Sequence, residues 1–436
     1  MNRNDRSIVG LTMLAHGMVH TYELSIPIFI PIWLAQFDVV SLGPVELAVT
    51  SATLGLLVTV GYGLFGLGAL PGGVLVDRVG SRRLITGCLV GMSASFLLLG
   101  LAPGLVAITL AMVVWGVAAS VYHPAGLALL SKGVEERGTG FAYHGIAGNL
   151  GIGLGPLVTT VMLLFLDWQT VAAILAAPAL LAALYAIRAR FDETAAVEAA
   201  TDGGEAGDSK ADAGVDSLSE FIAESRVLFT GSFALVFLVV MLSGLYYRGV
   251  LTFMPELLGG FSGFEPVALA SLLPAGLADV LGVSAEGGRT LSPANYVYSG
   301  LLMIGVVGQY VGGKLTDRIP VERGIAASFG VLGVLALLFL PVASLGFVPF
   351  LAFGAVLGVA LFAVQPFYQA TVAEYTPAGT RGLSYGYTYL GVFGVGALGG
   401  AVAGAILTFG SEEALFVVLA AFGFVAAATG MTLARR

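Results

Sequence analysis

PGGVLVDRVGSRRLI (71–85) lies over VGGKLTDRIPVERGI (311–325) at an offset of 240 residues, with identities at Gly72, Gly73, Leu75, Asp77, Arg78, Arg83 and Ile85. Small and apolar matches arise easily by chance, but a shared Asp-Arg pair in an apolar chain does not, so the two stretches mark an internal repeat. Further along, Pro124 corresponds to Pro366 at offset 242, and Arg137-Gly138 to Arg381-Gly382 at 244. The chain around them has 436 residues, 57% hydrophobic and only 11% charged, too little polar surface for a water-soluble globule. Its apolar residues come in long blocks, and about 20 residues rising ~1.5 Å each cross a ~30 Å hydrocarbon core. The blocks read as twelve spans, near 8–36, 45–75, 84–102, 105–130, 139–166, 168–188, 228–256, 295–316, 325–343, 348–371, 383–409 and 413–433. The first is too long for the apolar region of a secretory signal and is read as a span. The expected fold is all-α and polytopic, with two pseudo-symmetric six-helix halves (1–190 and 227–436) joined by a linker (191–226).

Lys and Arg accumulate in cytoplasmic loops. With the N-terminus inside, 17 of the 19 basic residues fall on that face, leaving Arg289 in an outer loop and Arg248 within the seventh span. Both termini are therefore expected in the cytoplasm, and the chain in the cell membrane. The net charge of −8 is local: 192–224 holds ten carboxylates and one Lys, or −9, so the rest of the chain carries +1. That acidic segment cannot bury a core and reads as a solvated, disordered tether with a short helix near 217–225. The single Cys88 excludes a disulfide within the chain.

The run G-x-x-x-D-R-x-G-x-R-R from Gly73 to Arg83, in the loop after the second span, resembles the major facilitator signature, with Ser81 as an extra residue. A weaker echo, including Asp317 and Arg318, lies in the second half. Within that superfamily, SVYHPAG (120–126), GIAGNLGIGLGPL (145–157) and the spacing of His16, Pro27 and Pro31 resemble the fosmidomycin-resistance group of efflux proteins. That group tends to carry a carboxylate four residues after its first-span His, where this chain has His20, with Glu23 one turn later. The resemblance implies a transporter whose first, fourth, seventh and tenth spans line a central cavity. It also implies that Gly73, Asp77, Arg78, Gly80, Arg82 and Arg83 latch the cytoplasmic side in the outward-open state. Gly73 would allow tight packing there, and Asp77 would accept hydrogen bonds from arginines and from a helix N-terminus across the interface between halves.

A charged group inside a span is costly unless paired or wet, so each is a functional candidate. His16, His20 and Glu23, at i, i+4 and i+7, share one helix face. A carboxylate beside imidazoles that titrate near neutrality suits a proton carrier, although a hydrogen-bonded packing stripe would use the same pattern. Glu23 lies eight residues before Pro31 and Arg248 seven before Pro255, in repeat-equivalent spans, so the two should face each other at similar depth. The competing reading has Arg248 snorkelling to the outer interface and Glu23 pairing with His20. His123 and Gln365 are candidate ligand-orienting groups, and Trp115, Tyr122, Tyr247 and Tyr368 candidate cavity aromatics. His123-Pro124 is placed to break the fourth span. Gly145, Gly148, Gly151 and Gly155 form a small-residue strip for close helix approach, and the ending Gly-x-x-x-Gly-Pro resembles part of an antiporter signature. The outer loop 257–293 is long, and 266–281 is apolar enough for a short helix over the cavity mouth.

These signs favour proton-coupled efflux of a small organic molecule by alternating access, with uptake of an organic anion as the second reading. A membrane enzyme would need a nucleophile elbow, a metalloprotease motif or a phosphate loop, and none is present; a channel would not call for the internal repeat. The expected partners are the lipid bilayer, a small-molecule substrate and protons, with no nucleic acid, and the monomer as working unit. No cofactor is expected. No metal is expected either, His16 and His20 with Glu23 being the nearest approach to a ligand set.

Overall fold

The computed structural model describes residues 1–197, 218–229, 231–274, 289–376 and 381–435. Helix α1 (Arg3–Gln36) opens where the Asn2 side chain accepts the Asp5 backbone N–H at 2.8 Å. After it the chain makes an exposed hairpin, β1 (Val39–Leu42) against β2 (Val45–Ala48). The sequence reading starts the second span at 45; helix α2 (Ser51–Leu67) instead begins six residues later. Thr50 is extended and forms a capping box with Thr53, which fixes the helix start at Ser51. At Gly68 the span bends by 45° into α3 (Ala69–Val79). The side chain of Ser120 occupies the space that a Cβ at Gly68 would need. Helices α4 (Ser81–Gly100), α5 (Leu105–Ser120), α6 (Tyr122–Gly133), α7 (Arg137–Leu163) and α8 (Trp168–Arg188) complete the first six spans. The fourth span breaks at Val121, just before His123-Pro124.

Helix α9 (Leu218–Leu228) covers the short helix expected near 217–225, while 198–217 of the acidic segment lie outside the described residues. The seventh span is α10 (Phe233–Leu251) with α11 (Met254–Gly259). In the outer loop, β3 (Val267–Ala268) pairs with β4 (Thr290–Leu291), and only the turn α12 (Leu269–Leu272) is helical. The helix expected over 266–281 is thus replaced at its start by a strand pairing, and 275–288 lie outside the described residues. Helices α13 (Pro293–Thr316), α14 (Val321–Ala343) and α15 (Phe347–Tyr375) follow. Unlike the fourth span, α15 runs unbroken through Pro366. The eleventh span is α16 (Arg381–Tyr389), a π-helical turn (Leu390–Val395) and α17 (Leu398–Phe409), and the last is α18 (Glu412–Leu433). Among the described residues, ten segments are long and apolar enough to cross a bilayer, and an eleventh if the bent α2–α3 pair is one span. Helix α13, which carries Asn295, Gln309 and several Gly and Tyr residues, is the twelfth of the bundle.

The packing repeats as the sequence does. Helix α4 lies along α8 in the first half as α14 lies along α18 in the second. The halves meet where α2 packs on α17 and α7 on α13. Since the second and eighth spans are repeat equivalents, as are the fifth and eleventh, these two seams are one interface seen twice. Within the quoted repeat, Gly72 abuts Pro124 of the fourth span, and its equivalent Gly312 abuts the backbone of Ala363 in the tenth. Gly73, expected to allow tight packing, faces open space; the close approach belongs to its neighbour. Both chain termini lie at one end of the bundle. Asn4 there bonds to the Gly133 carbonyl, and Gly430 packs on the backbone of Glu322 and Ala326.

Candidate functional site

Between the halves lies a cavity of about 1020 Å³. Its mouth is at the end that bears the termini, bounded by Ser131, Phe141, Ala373 and Tyr385. The far end is shut. There Thr59 donates to the Ala397 carbonyl at 2.9 Å, and Thr408 accepts the Ala52 N–H at 2.8 Å. Gly55 and Gly404 of this seam meet the backbones of Gly400 and Ser51 so closely that no Cβ fits at either.

At the cavity floor the Glu23 carboxylate joins the two halves. Oε1 accepts from the Arg248 guanidinium of α10, and Oε2 lies 2.5 Å from Nδ1 of His20. The two residues stand on different halves at the same depth, and each is nearly fully buried. Arg248 therefore does not snorkel to the outer interface: its charge is met inside the bundle, where an unpaired guanidinium would cost far more. Tyr62 of α2 touches both residues. Its ring centroid is 3.8 Å from the Arg248 guanidinium carbon, and its hydroxyl donates to the Glu23 carbonyl at 2.6 Å.

From His20 the contacts run on along α1 and across to α7. His20 Nε2 is 3.1 Å from His16 Nε2, and His16 Nδ1 is 2.8 Å from the carbonyl of His144. The His144 ring lies nearly parallel to that of His16, with centroids 3.8 Å apart. His123 completes the group at 5.3 and 5.6 Å from the rings of His16 and His20. The chain has four histidines, and all of them meet here. The glycine strip makes this possible. Gly151 and Gly155 bring the backbone of α7 against Gly17 and Thr21 of α1, and the His16 ring fills the space beside Gly148. Gly145 instead faces open cavity.

Tyr247, Tyr368 and Gln365 line the cavity, together with Tyr389 and Phe393 of the π-helical turn region. Trp115 and Tyr122, expected on the wall, sit behind it. Trp115 packs between Tyr62 and Phe65, and Tyr122 donates to the Thr12 carbonyl at 2.6 Å, tying α6 to α1. Gln365 ends a chain of amides that crosses the seam: Asn149 donates to Gln309 at 2.6 Å, and Gln309 donates to Gln365 at 2.7 Å. His144, Tyr62, Asn149, Gln309, Tyr389 and Phe393 were not singled out in the sequence. For His144 the available signal was that it stands one turn before Gly148, at the open end of the strip.

The loop signature is arranged differently from its expectation. Asp77 accepts from Lys132 of its own half at 3.1 Å, and among the described residues no ion pair joins it to Arg78, Arg82 or Arg83. Arg82 donates to the Ala186 and Ile187 carbonyls at the end of α8. Glu193 takes the N-terminus of α4, accepting from the Ser81 and Arg82 N–H groups at 2.9 and 3.3 Å. Gly80 precedes it at φ 88°, a left-handed conformation that favours glycine. Asp317 and Arg318 enter no ion pair among the described residues. Asp77 thus pairs within its own half, while the same helix meets the second half nearer its start, where Leu70 packs against Gly386 of α16.

A model of the Major Facilitator Superfamily matches residues 10–290 and 257–436. Among known proteins, the chain is similar to puromycin resistance protein pur8 of Streptomyces alboniger, with 34% identity over 123 residues. That alignment covers 28% of this chain and about a quarter (24%) of the relative's length. Similar solved structures include the nucleoside transporter NupG, with a TM-score of 0.71 and 13% identity over 99% of this chain and 100% of that one. They also include the peptide transporter POT in complex with alafosfalin (0.71, 14%, 98% and 94%). A third is a bacterial homolog of the human lysosomal transporter Spinster in an inward-facing, occupied conformation (0.70, 14%, 100% and 98%). At such identities these structures speak to the fold alone. With the family model matched along both halves and the fold shared from end to end, the chain belongs to the Major Facilitator Superfamily.

Proposed function

We propose that the chain is a secondary active transporter of the drug-efflux type, akin to the fosmidomycin-resistance group, that exports a small organic molecule in exchange for protons by alternating access. It would act as a monomer in the cell membrane, with its termini and the cavity mouth on the cytoplasmic side. The basic loops at the terminal end, the partial similarity to a puromycin resistance protein and the Gly-x-x-x-Gly-Pro ending of α7 support this reading. The observation that carries it is one buried carboxylate shared between an arginine of one half and a histidine pair of the other.

Hydrogen-bond chemistry sets the protons in that pair. His16 Nδ1 faces a carbonyl, which can only accept, so it carries N–H. His20 Nδ1 faces the carboxylate that also accepts from Arg248, so it carries N–H as well. Both Nε2 atoms are then lone pairs, 3.1 Å apart, and one further proton fits between them. With that proton bound, the first half presents a cation to Glu23 on one side while Arg248 presents one on the other. Without it, His20 binds the carboxylate more weakly, and Glu23 rests on Arg248 alone. A substrate entering the cavity competes for the same groups, so proton and substrate occupancy bias the two halves in opposite senses.

Uptake of an organic anion is favoured by one observation. Arg248 Nε is buried without a hydrogen-bond partner, a donor that a carboxylate or phosphonate would satisfy. Proteoliposomes with an imposed pH gradient, tested against a panel including phosphonate antibiotics and puromycin, separate the readings. Export predicts that a ligand moves against its gradient as protons move the other way, and that Glu23→Gln abolishes this. Movement of ligand and proton in the same direction would select uptake, and transport indifferent to the gradient would overturn both.

A further inference from the structure

We infer that His16, His20 and His123 form a binding site at the cavity floor for one transition-metal dication of the zinc, nickel and cobalt kind. This goes beyond the transport reading and does not depend on it. The three residues each offer a ring nitrogen, and these nitrogens lie within 4.8 Å of one another. Metal–nitrogen bonds of about 2.0–2.1 Å place tetrahedral ligand atoms roughly 3.3 Å apart. The Nε2 atoms of His16 and His20, at 3.1 Å, already stand at that separation, so only His123 has to swing inward.

The outer contacts are those a metal-ligating imidazole uses. Such a ring donates its second N–H to a carboxylate or a backbone carbonyl, which fixes the ring and turns the other nitrogen's lone pair to the metal. His20 has the Glu23 carboxylate in that place, and His16 has the His144 carbonyl. His123 Nε2 is buried with no hydrogen-bond partner, and its ring is held nearly parallel to those of Tyr389 and Phe393. Packing accounts for the stacked rings; a bound dication would in addition give the His123 nitrogen a partner and draw on the two Nε2 lone pairs beside it. Three neutral imidazoles suit zinc, nickel or cobalt rather than magnesium or calcium, which take oxygen ligands. All three imidazoles line the cavity, so a fourth ligand would be taken from there. The spacing of His16, His20 and Glu23 alone gave no reason to expect a metal. The fold supplies the third imidazole by packing α6 on α1, and it moves Glu23 from ligand to support.

The test uses the full-length protein in detergent with its purification tag removed, titrated with Co²⁺ and followed by visible d–d absorption. Saturation at one ion per chain with an intense low-coordination spectrum, unaffected by excess Mg²⁺, is expected. His16→Gln, His20→Gln and His123→Gln should each abolish the spectrum. Glu23→Gln should weaken binding roughly 10–100-fold with the spectrum retained, because it supports a ligand. His144→Ala should leave stoichiometry and spectrum in place, since the contact to His16 comes from the backbone carbonyl. No saturable uptake by the wild-type protein overturns the proposal whether or not the variants fold. An unchanged spectrum in His123→Gln overturns it equally.

Discussion

Without Arg248, Glu23 would be an ionised carboxylate deep in the bundle with only an imidazole beside it. Breaking one side of a buried ion pair costs roughly 3–5 kcal/mol, most of it from the stranded charge. Arg248→Met should therefore lower the melting temperature in detergent and abolish transport. The double variant Glu23→Gln with Arg248→Met should regain most of the stability and none of the transport. Equal melting of single and double variants would remove the pairing. A second test at this scale concerns Gly148, beside which the His16 ring sits. Gly148→Ala should cut proton-coupled transport about tenfold or more by displacing the imidazole, equivalent to ~1.4 kcal/mol of coupling. Gly145→Ala, facing open cavity, should do little. His16, His20 and Glu23 are legible in the sequence because i, i+4, i+7 spacing puts them on one face whatever surrounds them. His144 was not, because it joins His16 only through the packing of α7 on α1, across 128 residues of chain.

The seam of α2 with α17 and the loop after α3 act at opposite ends of the bundle. At the closed far end, Gly404 of α17 leaves no room for a side chain against Ser51. Gly404→Leu should prevent closure there, raising the labelling rate of cysteines placed near the far end and lowering it near the mouth. Unchanged labelling would mean that this contact does not set the closed state. At the terminal end, the Asp77–Lys132 pair is exposed on both sides and contributes about 0–1 kcal/mol, so neutralising Asp77 costs this conformer little. The loss should fall on the opposite conformer, where the halves approach at that end. Asp77→Asn is thus expected to shift the population toward the terminal-end-open state and slow cycling, and Asp317→Asn, next to Pro320 and Glu322, to do less. Cysteine accessibility on each side of the cavity reads this; equal shifts would contradict the asymmetry. Helices are legible by their apolar length. The hairpin at 39–48 is not, because Val45–Ala48 is apolar enough to extend a span, and only the Thr50 cap shows where α2 begins. The π-helical turn at Leu390–Val395 is set by close packing against Gly66 and Val240 and has no local signature.

At the scale of the whole molecule, the repeat at 71–85 and 311–325 was enough to expect two six-helix halves. Each copy needs a glycine against the fourth helix of its half and a turn after its second, and the structure shows both contacts. Which residues of the two halves meet across the cavity is decided by docking, which a single sequence records only as equivalent depth. Glu23 facing Arg248, and Glu23 pairing with His20, are each legible as rival readings; that one carboxylate makes both contacts is not. The proposed proton coupling depends on that shared carboxylate, because through it proton occupancy on the first half and charge on the second would act on one group. Its most direct test is proton flux in proteoliposomes, read by a trapped pH indicator when a transported ligand is added, alongside ligand exchange at equal pH. Ligand-driven proton movement is expected in the wild type, and in Glu23→Gln ligand exchange that persists while proton movement is lost. Proton movement undiminished in Glu23→Gln would contradict that coupling.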